Sequence, residues 1–166
     1  MVNMIFGMYF FADEPTALGT GVESISIEIS LPEQPETHPE YTEQDVLCLA
    51  KNIYHEARGQ EVDGQYAVAF VTVNRVNHAN FPNTICDVVY QPYQFSWTHQ
   101  NMKLDLSNKI ERAAWEVVTE IALEVLNEQV YNDMYGVTHY HATSVNPEWG
   151  YQLVTQIDDH LFYKRL

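Results

Sequence analysis

Residues 67–73, AVAFVTV, constrain the fold more than any other part of this chain. A helix through them is apolar nearly all round, and such a helix is stable only when neighbours cover every side. The β-branched residues favour a strand locally. A strand, however, would run straight into Asn74, Arg75 and Asn77 and leave those polar side chains without a rationale. The pattern therefore predicts a buried central helix from about Gly64 to Asn77, with Asp63 as its cap.

Two amphipathic segments supply the cover. Thr42 and Asp45 have the spacing of a capping box, and Val46, Leu49, Ala50, Ile53 and Ala57 then recur on one helical face until Gly59 ends the run. Further on, Ser107 is the expected cap of a long helix whose apolar side carries Ile110, Ala114, Val117, Val118, Ile121 and Val125. Glu111, Arg112, Glu116, Glu120, Glu124 and Glu128 lie around or beyond that side. NTICDVVYQ predicts a short helix after the Phe81-Pro82 turn, and QPYQFSWTHQ an aromatic loop. After Gly136 the pattern changes: VTHYHATSV alternates, NPEWG is a turn, and HLFYK is a short β-like segment. The expected class is α+β, mainly α, with a small β-hairpin or sheet added to a helical body.

The domain is expected to span residues 41–166. Residues 13–40 combine turn residues, acids and four prolines, which suits a tail or linker, although VESISIEIS could form one edge strand. The apolar run Met4–Ala12 lacks a preceding Lys or Arg and is too short to span a bilayer, so a degenerate export signal is its strongest functional reading. No stable membrane insertion is expected.

Charge narrows the partners. Twenty-three acidic against eight basic residues give a net charge of −15, which disfavours nucleic acid and anionic membrane surfaces, since both require neutralising positive charge. The two cysteines, Cys48 and Cys86, match no zinc or redox spacing; a disulfide and a pair of buried thiols both remain open.

Several chemistries can be weighed from the residues. HEARG begins like the zinc motif H-E-x-x-H, but Gly59 occupies the second His position. A divided metal site would need His139, His141 and His160, and a His pair on a half-buried strand more often serves structure or substrate; no metal or other cofactor is expected. Neither cysteine sits where a thiolate would be favoured, and no G-x-S-x-G elbow or phosphate loop is present. Glu56 remains. At the border of the buried face in the last turn of its helix, it is placed to be partly desolvated, which raises a carboxyl pKa toward the range of a general acid.

LAKNIYHEARGQEVDGQYAVAFVTVNRV, then FPNTICDVVYQPYQFSWT, THYHATSVNPEW and HLFYK, resemble in their order the spore-cortex-lytic, SleB-like family of cell-wall hydrolases, over roughly residues 44–164. The resemblance implies a lysozyme-like helical domain acting on peptidoglycan glycan strands. The catalytic Glu of the family's Y-x-E-A-R-G motif falls on Glu56. Gln94, Phe95, Ser96 and Trp97, and the block Thr138 to His141 with Tyr140 and His141, are implied to line the glycan cleft. Trp97 has the alternative of a core aromatic, and because Tyr140 and His141 alternate, only one should face the cleft, with His141 favoured. The chain departs from the common E-A-R-G-E at Gln60. Cys48 falls in the catalytic helix and Cys86 in the next short one.

The implied reaction is cleavage of the MurNAc-GlcNAc β-1,4 bond by a lytic transglycosylase using one Glu. Two alternatives stay open: a muramidase using water, and a non-catalytic glycan-binding or virion structural module. A hydrolase needs a second carboxylate about 5–5.5 Å (retaining) or about 6.5–9.5 Å (inverting) from the first; Glu61, Asp63, Asp87 and Glu148 are the candidates. The implied location is the cell envelope, periplasmic or extracellular, or the host wall if the protein is phage-encoded. No protein partner is implied.

Overall fold

The computed structural model describes residues 41–100 and 102–165. The expected tail, export signal and edge strand of residues 1–40 lie outside the described residues. Five helices and one sheet follow in order: α1 (Glu43–Ala57), α2 (Val62–Val76), α3 (Ile85–Val89), α4 (Ser96–His99), α5 (Lys109–Leu126), β1 (Val137–Ala142), β2 (Gln152–Ile157) and β3 (His160–Lys164). The α+β, mainly α, class is as expected.

α1 starts with a complete capping box. Thr42 Oγ1 accepts from the Asp45 N–H at 3.2 Å, and the Asp45 carboxylate accepts from the Thr42 N–H at 3.1 Å. Its buried residues Leu49, Ala50, Ile53 and Ala57 join a core shared with α2, α3 and α5. α2 is buried through Ala67, Val68, Ala69, Phe70, Val71 and Thr72, which makes it the central helix that its composition demands.

The polar residues at the end of α2 anchor the sheet. Asn74 Nδ2 donates to the carbonyls of Met134 at 2.7 Å and Val137 at 2.9 Å, and Arg75 Nε donates to the Thr138 carbonyl at 2.7 Å. These bonds satisfy backbone groups at the start of β1 that would otherwise be buried unpaired.

The sheet has the order β1-β3-β2 with both pairings antiparallel, so the chain's last strand is central. The expected hairpin or strand pair is thus a three-stranded sheet; β2, not anticipated, forms the hairpin with β3. Asp158 turns that hairpin with φ of 49°, a conformation that Asp tolerates better than most residues. Its Oδ2 accepts from the Glu61 N–H at 2.9 Å. α2 therefore begins at Val62, and Asp63 lies inside its first turn instead of capping it: the carboxylate at this helix start comes from the sheet. Gly64 permits the approach, since a Cβ there would lie 2.8 Å from Asp158 Oδ2.

Three other expectations shift. Asn108 caps α5, its Oδ1 accepting from the Glu111 N–H at 2.9 Å, while the Ser107 N–H donates to Asp105. Ile110 is 80% exposed and Val117 is also exposed, because the buried face centres on Val118, Ile121, Ala122 and Val125 and these two share its edge. The aromatic loop contains α4, drawn against the body by Phe95 and Trp97 on either side of Ser96. Cys48 and Cys86 form a disulfide with Cα atoms 5.3 Å apart, tying α3 to α1.

Candidate active site

Glu56 sits where α1 ends and β1 passes. Its Oε2 accepts a hydrogen bond from the Tyr140 hydroxyl at 3.1 Å. Burial pushes the Glu56 carboxyl above the ordinary carboxylate range, and the Tyr140 bond and the positive charge of Arg75 pull part of the way back. Tyr140 is raised well above its usual value by burial and by Glu56, so it is a neutral hydrogen-bond donor. The carboxyl is thus biased toward its protonated form, while the groups that stabilise its anion are already in place. That combination suits a group that gives up a proton and takes it back.

Arg75 is the third member. It is only 4% exposed, lies with its guanidinium carbon 5.3 Å from the centroids of both Phe81 and Phe95, and has a buried Nη1 without a partner among the described residues. Composition marked it as a polar interruption at the end of an apolar helix, but its service to Glu56 needs β1 in place and was not foreseen.

Beside this cluster lies a cavity of about 670 Å³, within the range of ligand pockets. Arg75 and Tyr140 form one part of its wall, Tyr93 and Gln94 another, and the loop from Val145 to Tyr151 a third. Among the described residues no carboxylate lines it. Burial and the charges of Arg75, Arg165 and His78 lower the pKa of His139, also in the wall, to about 4, so it is neutral at neutral pH.

The residues implied as cleft-lining separate into two groups. Gln94 lies in the cavity wall beside Tyr93, whose backbone is left-handed at φ 66° and whose N–H donates to His99 Nε2 at 2.7 Å. Ser96 is exposed in the first turn of α4, outside that wall. Phe95 and Trp97 do not line this cavity; they are 3% and 5% exposed. The Trp97 indole N–H donates to Asn52 Oδ1 at 3.2 Å, and Asn52 Nδ2 donates to Thr72 Oγ1 at 3.2 Å. Buried polar atoms need such partners, and this bridge makes Trp97 the core aromatic of the two readings. His55, left without a role, stacks on it at 4.5 Å.

On β1 the expectation that only one of Tyr140 and His141 faces the cleft is corrected, since both line the cavity. Tyr140 is the residue that reaches Glu56, while His141 lies in the cavity wall and bonds the Tyr163 hydroxyl through Nε2 at 2.9 Å. Arg58 turns toward α5, pairing with Glu111 at 3.4 Å. Gln60 Oε1 accepts from the Asp159 N–H at 3.3 Å beside Asp158; a neutral amide there avoids the repulsion that a Glu would meet. None of the four candidate second carboxylates lines the cavity: Glu61 precedes α2, Asp63 borders a different cavity, Asp87 bonds Thr84 at the start of α3, and Glu148 is exposed. Among the described residues no group of three or more His, Cys, Asp or Glu is placed to hold a metal ion.

A family model described as Cell Wall Hydrolase matches residues 59–163. The chain belongs to the cell wall hydrolase family. The matched span opens just after Glu56, so it covers the cavity walls and not the carboxyl itself. Curated relatives of this cell wall hydrolase are named spore cortex-lytic enzymes. That of Oceanobacillus iheyensis is 43% identical over 56 residues, 34% of this chain and 20% of the relative. That of Bacillus subtilis is 28% identical over 123 residues, 74% of this chain and 38% of the relative. The aligned parts thus span well under half the length of these relatives. Among solved structures, the catalytic domain of the germination-specific lytic transglycosylase SleB from Bacillus anthracis aligns with a TM-score of 0.63 and 25% identity, covering 76% of this chain and 99% of that domain. The catalytic domain of Bacillus cereus SleB aligns with the same TM-score at 24% identity, over 80% of this chain and 99% of that one. The SleB-like resemblance and the lysozyme-like, mainly helical fold are as expected from the sequence.

Proposed function

We propose that residues 41–166 form a catalytic domain that cleaves the β-1,4 bond between N-acetylmuramic acid and N-acetylglucosamine in peptidoglycan, as a lytic transglycosylase with Glu56 as its single acid and base. The observation that carries this reading is the Glu56–Tyr140–Arg75 cluster, whose Tyr140 and Arg75 line a cavity that, among the described residues, has no carboxylate in its wall. A retaining or inverting hydrolase depends on a second carboxylate facing the same sugar. A transglycosylase does not.

Glu56 protonates the glycosidic oxygen, the C–O bond breaks, and N-acetylglucosamine leaves with that proton. Positive charge builds at C1 of the muramic residue while Tyr140 and Arg75 stabilise the new carboxylate. Glu56 then takes the proton of the muramic 6-hydroxyl as its oxygen closes on C1, which gives a 1,6-anhydro end and restores the acid.

The site of action follows from the substrate: the cell envelope or outside the cell, for a bacterial or a phage-encoded protein. The Cys48–Cys86 disulfide fits an oxidising compartment. Among the described residues no helix is long and apolar enough to cross a membrane. Mass spectrometry of digested peptidoglycan tests the chemistry. Anhydro-muropeptides, one water lighter than hydrolysis products, are expected; reducing ends alone would mean a muramidase, and no fragments would mean a binding module.

A further inference from the structure

The face of the sheet that carries His139 and His141 holds a ring cluster to which the single-acid mechanism assigns no part. Trp149, in the loop between β1 and β2, lies 5.6 Å from His139, 5.3 Å from His141, 5.7 Å from Tyr151 and 5.8 Å from Tyr163. The planes of His139, His141 and Tyr163 stand at 70°, 79° and 85° to the indole, so three edge-to-face contacts fix its orientation. Even so, Trp149 is 39% exposed, and it lies in the wall of the cavity that also contains Arg75 and Tyr140. An aromatic ring fixed by such contacts with part of its surface left bare is poised to stack on a flat apolar face.

Polar groups around it have a fixed sense. His141 Nδ1 lies 2.9 Å from the Ala142 carbonyl, which can only accept, so that nitrogen carries the proton in the neutral ring. Nε2 is then the acceptor, and the Tyr163 hydroxyl donates to it. The Tyr163 oxygen keeps its lone pairs for an incoming donor. The cavity wall itself offers the amides of Gln94 and Asn146, and among the described residues it contains no carboxylate to repel an acidic ligand.

We propose that Trp149 is the stacking platform of a sugar-binding subsite, taking the pyranose ring of an N-acetylhexosamine in the same glycan strand that Glu56 cleaves, with Tyr163 accepting one of its hydroxyls. Pyranoses fit because one face is apolar while the rim is rich in hydroxyl donors. Continuity with the Glu56 cluster makes the occupant a β-1,4-linked strand instead of a separate small molecule. The inference rests on the peptidoglycan reading of the site.

Chitotetraose, a soluble β-1,4-linked N-acetylglucosamine oligomer, is the probe. Calorimetry on Glu56→Gln should show binding, and the same titration should change the fluorescence of Trp149. Trp149→Leu in that background should weaken binding by at least about tenfold, or about 1.4 kcal/mol, while Trp149→Phe falls between. Tyr163→Phe should weaken it less. Unchanged affinity in Trp149→Leu overturns the subsite, as does heat of binding without any fluorescence change in the protein that retains Trp149, a measurement that does not depend on how Trp149→Leu folds. Failure of both proteins to bind also overturns it. Trp149-dependent binding by a wild-type protein that leaves peptidoglycan intact would instead refute the cleavage reading and leave the subsite standing.

Discussion

The Tyr140 hydroxyl reaches Glu56 Oε2 at 3.1 Å across 84 residues of sequence, joining the end of the first helix to the first strand. Tyr140 also lines the cavity, and its bond acts on the ionised form of the carboxyl, because a donor stabilises an anion more than a neutral acid.

Tyr140→Phe removes that donor without changing shape. The Glu56 pKa should then rise further, so that the acid form survives to higher pH and the alkaline limb of the lysis profile moves up. The developing carboxylate loses a charge-assisted bond, so kcat should fall by about tenfold. An unmoved alkaline limb would show that Tyr140 does not act on Glu56.

Glu56→Gln should reduce lysis of purified cell walls by about 10²-fold or more in a zymogram or turbidity assay. Retained lysis would remove Glu56 from the mechanism.

The same substitution makes a separate statement about stability. Burial raises the folded-state pKa of Glu56 above 4.5, so the folded chain binds this proton more tightly than the unfolded chain. The group's contribution is fully present below about pH 4.5 and is lost as pH rises through the folded value. Glu56→Gln should therefore raise Tm at neutral pH, with the gain vanishing in acid, as thermal melts across pH would record.

Trp97 and Asn52 test the division between core and cleft. Asn52→Ala leaves the Trp97 N–H without its acceptor and opens a void, while Thr72 keeps its bond to the Val68 carbonyl, and the change should cost about 2–4 kcal/mol of stability. Trp97→Phe should cost about 1–3 kcal/mol in denaturant melts while KM stays near wild type. A raised KM with unchanged stability would return Trp97 to the substrate.

The disulfide closes a loop of 38 residues between α1 and α3. Replacing both cysteines with Ala should lower stability by about 2–4 kcal/mol, chiefly by freeing the unfolded chain. A thiol assay on denatured, non-reduced protein should find no free thiol.

Much of the helical body was legible in the residues because helix periodicity, capping and all-round apolarity are local properties. Thr42 with Asp45 announced α1, AVAFVTV announced a buried α2, and Glu56 could be placed on the border of a buried face from its spacing to Ile53. Elements whose ends depend on distant groups were misplaced: the start of α2 is set by Asp158, and β2 exists because β3 pairs with it on one side and with β1 on the other. Within the aromatic loop, Phe95 and Trp97 could have faced either core or cleft, and the buried amide of Asn52 settled the direction of Trp97.

What the sequence by itself determined is a mainly helical chain with one carboxyl at a helix end, since these follow from interactions within a few turns. Only the tertiary structure decided that Tyr140 and Arg75 meet that carboxyl, that Trp149 lines the neighbouring cavity, and that among the described residues no carboxylate lines it. A pKa and a cavity belong to groups remote in sequence that are brought into the same poorly solvated space, and packing alone puts them there.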